Sequence, residues 1–130
     1  MIAYCRPKIL DINNNLSKIE IPLKRRTRNH LGSMYFGALS VGADFSGGLI
    51  VLNILRKHNS KAKLIFKDFK ANFLKRATSD VLFVCRAPKE VEKAVLENLE
   101  NKNRINFELN IEGFCHEELV ASFTLTTSIK

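Results

Sequence analysis

The residues best placed to do chemistry lie between Asn29 and Asp44, where Asn29, Gly32, Gly37 and one carboxylate are set into an otherwise mostly apolar stretch. Asn29 and Gly32 precede a helix start, Gly37 falls in the first turn, and Asp44 sits about two turns further in. First-turn amides have no intrahelical acceptor and carry the positive end of the helix dipole, so they can hold a carbonyl oxygen as it becomes an oxyanion. Gly37, lacking a side chain, lets a substrate approach those amides. Asp44, desolvated in an apolar helix, could serve as general base toward water or as nucleophile. Each residue also has a plainer reading. Asp44 could bond a backbone group or Arg26 or Arg28, Asn29 could be a turn or capping residue, Tyr35 a core aromatic, and His30 a loop histidine.

The elements that must position these residues follow from hydrophobic spacing. Ile19, Ile21 and Leu23 alternate with Lys18, Glu20 and Lys24, which predicts a half-buried strand within residues 17–26. Pro22 removes a backbone donor there and predicts an edge or a bulge. From Met34 to Leu55 no polar face is wide enough for a surface helix, so the helix must be buried, with Ser33 as its N-cap and Arg56, Lys57 and His58 at its C-terminal end. Its length would suit a membrane span, with Ala38/Gly42 and Ala43/Gly47 at small-residue spacing. However, Asp44 at its centre costs at least ~2.5 kcal/mol on insertion scales, and both flanks are basic. The expectation is therefore a core helix and no membrane span. Gly37, Gly42, Gly47 and Gly48 then mark close approach of a wrapping sheet.

Leu64 and Phe66 lie on one phase and Phe69, Ala71 and Phe73 on the other, which predicts a strand from Ala62 to Leu74 bulged near Lys67; Ile65, Phe69 and Phe73 would also fit a helix. Asp80 to Arg86 reads as a short buried strand. Pro88 at a first helical position opens a surface helix over Lys89 to Glu100, with Val91, Ala94, Val95 and Leu99 inward. Two alternating strands, Ile105–Glu112 and Leu119–Ser128, flank a turn from Gly113 to Glu118. The plan is one α+β domain over residues 1–130, a central helix against an antiparallel sheet.

Three odd, scattered cysteines (Cys5, Cys85, Cys115) and three scattered histidines (His30, His58, His116) argue for a reducing compartment and against a disulfide framework or zinc site. The N-terminus carries no secretory pattern, so a cytoplasmic location is expected. A net charge of +8 calls for an anionic partner without choosing one. The basic set is Lys24, Arg25, Arg26, Arg28, Lys61, Lys63, Lys67, Lys70, Lys75 and Arg76. A nucleic-acid binder would interleave exposed aromatics with such charges; Phe66, Phe69 and Phe73 are better placed as core, which disfavours nucleic acid.

The segment from Asn29 to Asp44 resembles the active-site motif of hotdog-fold acyl-CoA thioesterases of the phenylacetyl-CoA and hydroxybenzoyl-CoA type. That pattern runs Asn, two residues, Gly, two residues, His-Gly-Gly, then Ala followed by Asp or Glu. Asn29, Gly32, Gly37, Ala43 and Asp44 occupy the matching positions without a gap. The run from Lys67-Asp68-Phe69 to Phe73-Leu74-Lys75-Arg76-Ala77 resembles an uncharacterised hotdog branch, similar to the C-terminal domain of YiiD-type proteins. The resemblance implies a hotdog fold: a long central helix wrapped by an antiparallel sheet. It further implies a homodimer, which could pair again to a tetramer, with acyl sites at the subunit interface. Implied too is hydrolysis of an acyl thioester of coenzyme A or of an acyl carrier protein. No cofactor is needed, coenzyme A being part of the substrate. Gly37 and Phe36 amides would hold the carbonyl, Asp44 activate water, Asn29 orient substrate or water, Tyr35 line the acyl site, and Lys75 and Arg76 receive coenzyme A phosphates. Tyr35 stands where the family has histidine and Phe36 where it has the first glycine. A non-catalytic acyl-binding module is the alternative these two departures favour.

Overall fold

The computed structural model describes residues 2–13, 15–87 and 89–130. Its one long helix, α2 (Phe36–Lys57), is gripped by a six-stranded sheet. In chain order the elements are α1 (Ile2–Cys5), β1 (Lys8–Ile12), β2 (Leu16–Ile21), α2, β3 (Leu64–Phe73), β4 (Val81–Arg86), α3 (Lys89–Asn101), β5 (Ile105–Cys115) and β6 (Glu118–Ile129). The sheet order is β1-β2-β4-β5-β6-β3, with every neighbouring pair antiparallel. This long helix wrapped by an antiparallel sheet is the hotdog fold.

α2 meets the length and apolarity of a membrane span, but here it is the core helix. Ala38, Leu39, Ala43, Ile50, Val51, Ile54 and Leu55 are buried against Ile19, Ile21, Phe83, Leu109, Ile111 and Leu125 of the sheet. Two of its glycines explain the tight wrap. A Cβ at Gly42 would collide with the buried Phe83 ring, and one at Gly47 would touch Leu109, Ile111 and Leu125 at 3.4–3.7 Å. Gly37 and Gly48 do not face the sheet so closely: the nearest neighbour of a Cβ at Gly37 is the Tyr35 ring, and at Gly48 it is Phe66 at 4.0 Å. Arg56 and Lys57 fall in the last turn of α2 and His58 caps it, where cations complement the dipole. Glu92 of α3 takes Lys57 and His58, each at 3.2 Å, which lowers its pKa and fastens the two helix ends together.

The bulge expected near Lys67 is present: the β3–β6 register shifts between Phe66 and Asp68. Three expectations need correction. β2 stops at Ile21, before Pro22, and it is not an edge; β1, whose residues are nearly all exposed and show no alternation, lies outside it. Ser33 is not the N-cap of α2. Tyr35 holds that position in extended conformation, φ −77° and ψ 160°, with no side-chain cap bond. The β5–β6 turn is tighter than Gly113 to Glu118, for the strands run on to Cys115 and Glu118 and leave only His116 and Glu117 between them. Both have positive φ (52° and 65°), as a two-residue hairpin turn with the right twist requires. Pro88 lies outside the described residues.

Candidate active site

The loop ahead of α2 is built from side chains bonding to backbone. Thr27, buried, donates from Oγ1 to the Pro22 carbonyl (2.8 Å) and accepts from the Lys24 amide (2.9 Å). Asn29 Oδ1 accepts from the amides of Leu31 (2.9 Å) and Ser33 (3.1 Å). The Asn29 amide donates to Ser33 O (2.6 Å), and Gly32 N–H closes the turn on Asn29 O (3.1 Å). Gly32 has φ +82°, a conformation that a side chain would strain. Arg76 straps this loop to the chain leaving β3: its Nε donates to Ser33 Oγ and its Nη2 to the Leu31 carbonyl, both at 2.8 Å. Met34 N–H reaches Ala77 O (2.9 Å) and Tyr35 N–H reaches Thr27 O (3.0 Å), so the loop enters α2 at a fixed angle.

At the helix start, Ala38 and Leu39 amides donate to Tyr35 O (3.1 and 3.2 Å). The two amides ahead of them, Phe36 and Gly37, find no acceptor among the described residues. They stand at the positive end of a helix of 22 residues, the arrangement that binds anions and stabilises oxyanions. Beside them a cavity of about 280 Å³ opens between the loop, the first turn of α2 and the end of β3. Asn29, Phe36, Lys75 and Arg76 line it together with the apolar Met34, Leu39 and Phe73. Four of the residues singled out in the sequence thus meet in one place. The last three lining residues carried no signal beyond hydrophobicity.

Gly37, Tyr35 and Asp44 do not line that cavity. The Tyr35 ring lies over Gly37, in the space a side chain there would occupy. Burial first, then the neighbouring Cys5 of α1, raise the pKa of its hydroxyl. Phe36 is 65% exposed and stacks on Phe73, with ring centres 4.3 Å apart. Asp44 is half-buried and, among the described residues, makes no hydrogen bond or ion pair, so the bond to Arg26 or Arg28 that its sequence position allowed is not made. Desolvation raises its pKa. Asp44 lies seven residues beyond Gly37, about 10.5 Å along the axis on nearly the same face. One turn further, that face points toward Phe66 of β3.

Lys75 and Arg76, which the sequence suggested for phosphate, are both engaged: Lys75 Nζ pairs with Glu118, and Arg76 holds the loop. The thiols are buried and free. Burial pushes the Cys85 thiol up to about 12, which removes it as a nucleophile at neutral pH. A wider hollow of about 680 Å³ lies on the outer face of the sheet over Leu82, Val84 and Phe114. Neither Phe36 nor Gly37 lines it, whereas Phe36 lines the smaller cavity, which is the better candidate for chemistry. Replacing Arg76 with Gln should leave the fold intact and cost about 1 kcal/mol. The Leu31 and Ser33 amides should then exchange hydrogen markedly faster than those of β5; unchanged protection would mean that Arg76 does not hold the loop.

The family model described as "Domain of unknown function (DUF4442)" matches residues 2–129. No curated protein sequence matches the chain significantly. Among solved structures, a candidate thioesterase from Shewanella oneidensis superposes with TM-score 0.86 at 18% identity, covering 97% of this chain and 85% of its own. A protein of unknown function from Chlorobaculum tepidum gives 0.88 at 13% identity, covering 98% and 83%. A point mutant of a thioesterase from Staphylococcus aureus gives 0.79 at 15% identity, covering 99% and 97%. At these identities the likeness concerns the fold. The substituted glutamine of that last protein and a glutamate substituted in a second structure of it are 15 residues apart.

Proposed function

Since this chain belongs to the DUF4442 family and folds as a hotdog, we propose that it hydrolyses acyl thioesters at two sites shared between the subunits of a homodimer. One observation carries the reading: among the described residues, α2 presents two amides without acceptors at its start and an unpartnered, desolvated carboxylate two turns on. The Phe36 and Gly37 amides hold the thioester carbonyl. Asp44 takes a proton from water as the water oxygen attacks the carbonyl carbon. The tetrahedral oxyanion is stabilised at the helix terminus and collapses with loss of the thiolate, which leaves as thiol after taking up the proton. Removing one such oxyanion donor costs about 10²–10³ in kcat in well-studied hydrolases. The matching separation in the Staphylococcus protein supports Asn29 and Asp44 as a working pair.

The helix geometry favours a second subunit. A water poised to attack lies ~3 Å from the carbonyl carbon, but Gly37 and Asp44 of one helix are about 10.5 Å apart. A two-fold that brings α2 against its copy supplies the amides from one subunit and the carboxylate from the other. β3 is suited to the seam. It is an edge strand of ten residues with open backbone groups, a liability unless paired. Phe69 and Phe73 face inward yet remain 39% and 40% exposed, and Ile65 is 50% exposed. Phe69→Lys should therefore convert the dimer to a monomer of 14.8 kDa in sedimentation and lower hydrolysis more than tenfold. An active monomer would refute the shared site.

The test is free-thiol release across short, long and aromatic acyl-CoA substrates. Tyr35, filling the space over Gly37, favours the second reading, a hotdog that binds acyl groups without turnover. Saturable acyl-CoA binding with no thiol release from a folded dimer would select it.

A further inference from the structure

We infer that a lysine-lined cleft at the far end of α2 receives the phosphate-bearing end of the thioester substrate, which makes that substrate a nucleotide-linked thioester such as an acyl-CoA. This rests on the dimer proposed above.

The cleft, of about 330 Å³, lies between the chain leaving α2, the end of α3 and the end of β6. Lys61, Lys102 and Lys130 line it with Ser60 and Asn98, and among the described residues no acidic side chain does. None of the three lysines forms an ion pair among the described residues. Their backbones are held in place. The Ser60 amide donates to Leu55 O (2.9 Å), and Ser60 Oγ accepts from the Ala62 amide (3.1 Å). The buried Asn98 donates through Nδ2 to Asn103 O (2.7 Å), and the Lys102 amide donates to Asn98 O (2.8 Å). Lys130 exchanges backbone bonds with Lys63. Three segments thus bring three cations around one hollow, where their mutual repulsion is relieved by a polyanion.

The cavity has no such cation to spare, because Lys75 and Arg76 are engaged within the chain. Antiparallel pairing of two copies of β3 sets the start of one strand beside the end of the other. The segment Lys61–Lys63 of one subunit then neighbours residues 73–77 of its partner, which line the partner's cavity. With an acyl group in that cavity, the phosphate-bearing end of its thiol carrier would extend toward the cleft of the neighbouring subunit. An acyl carrier protein presents an acidic helix and would need an open basic face, not a recess.

The three lysines are exposed, so the triple variant Lys61→Gln/Lys102→Gln/Lys130→Gln should fold. Inorganic pyrophosphate and adenosine 3′,5′-bisphosphate should bind the wild-type dimer in calorimetry, and about tenfold more weakly the variant, each exposed contact being worth a few-fold. Binding should weaken with salt. In kinetics, KM for acyl-CoA should rise about tenfold with kcat unchanged, while KM for the matching acyl-pantetheine, which has no phosphate, stays as it was. Equal binding of both probes by wild type and variant would overturn the inference, as would a KM increase confined to acyl carrier protein. A protein that hydrolyses nothing but loses pyrophosphate binding in the variant would keep the cleft and reject the hydrolase.

Discussion

Asp44→Asn should lower thioester hydrolysis at least ~100-fold, the low end for losing a general base, with no loss of thermal stability. The second half follows from the sign of the pKa shift. Desolvation raises the Asp44 pKa in the folded chain, so the ionised carboxylate opposes folding at neutral pH. That opposition disappears as pH falls through the raised folded value toward the unfolded one, where protonation favours the native state. Asparagine removes the charge throughout and should match or exceed the wild-type melting temperature at pH 7. The acid limb of the wild-type pH–rate profile should lie above the ordinary aspartate range. Hydrolysis within a few-fold of wild type in Asp44→Asn would end the assignment. A mixing experiment locates the carboxylate. Asp44→Asn and Gly37→Val homodimers should each be inactive. After subunit exchange half the dimers are hybrid, each with one intact composite site, so about a quarter of wild-type activity should return. No recovery would place both groups in one chain.

The second large effect lies in the core. Gly42→Val drives a branched side chain into the Phe83 ring, which is fully buried and packs on Phe123 at 6.3 Å between ring centres. The ring has no flexible end to yield, and overpacking should cost ~3 kcal/mol or more, a fall in melting temperature of about 10 °C. Gly47→Ala is the control. Its Cβ would rest 3.4–3.7 Å from three sheet residues, an ordinary contact, so helix propensity should stabilise the protein by up to ~1 kcal/mol. Combining Gly42→Val with Phe83→Leu should recover part of the loss, a coupling expected only between touching residues. Additive losses would show that α2 and β4 do not meet at this point.

Much of the architecture was legible because it rests on period. Ile105, Phe107, Leu109 and Ile111 alternate with polar residues, and Val91, Ala94 and Val95 return at helical spacing. The unbroken apolar run of α2 had to be core or membrane, and the charge on Asp44 weighed toward core. The bulge in β3 was readable because Leu64/Phe66 and Phe69/Phe73 are out of phase. β1 was not, since a covering edge strand with no buried face has no alternation to show. Nor was the cap of α2: Ser33 has a capping side chain, but its hydroxyl is taken by Arg76, 43 residues away.

For the site, local spacing placed Gly37 in the first turn of α2 and Asp44 on nearly the same face, because helical geometry makes both statements one-dimensional. Only the tertiary structure decided which charges are free. Lys75 and Arg76 are spent on Glu118 and on the loop, while Lys61, Lys102 and Lys130, scattered along the chain, converge on one cleft. Charge pairing depends on distance through space, which period and motif do not encode.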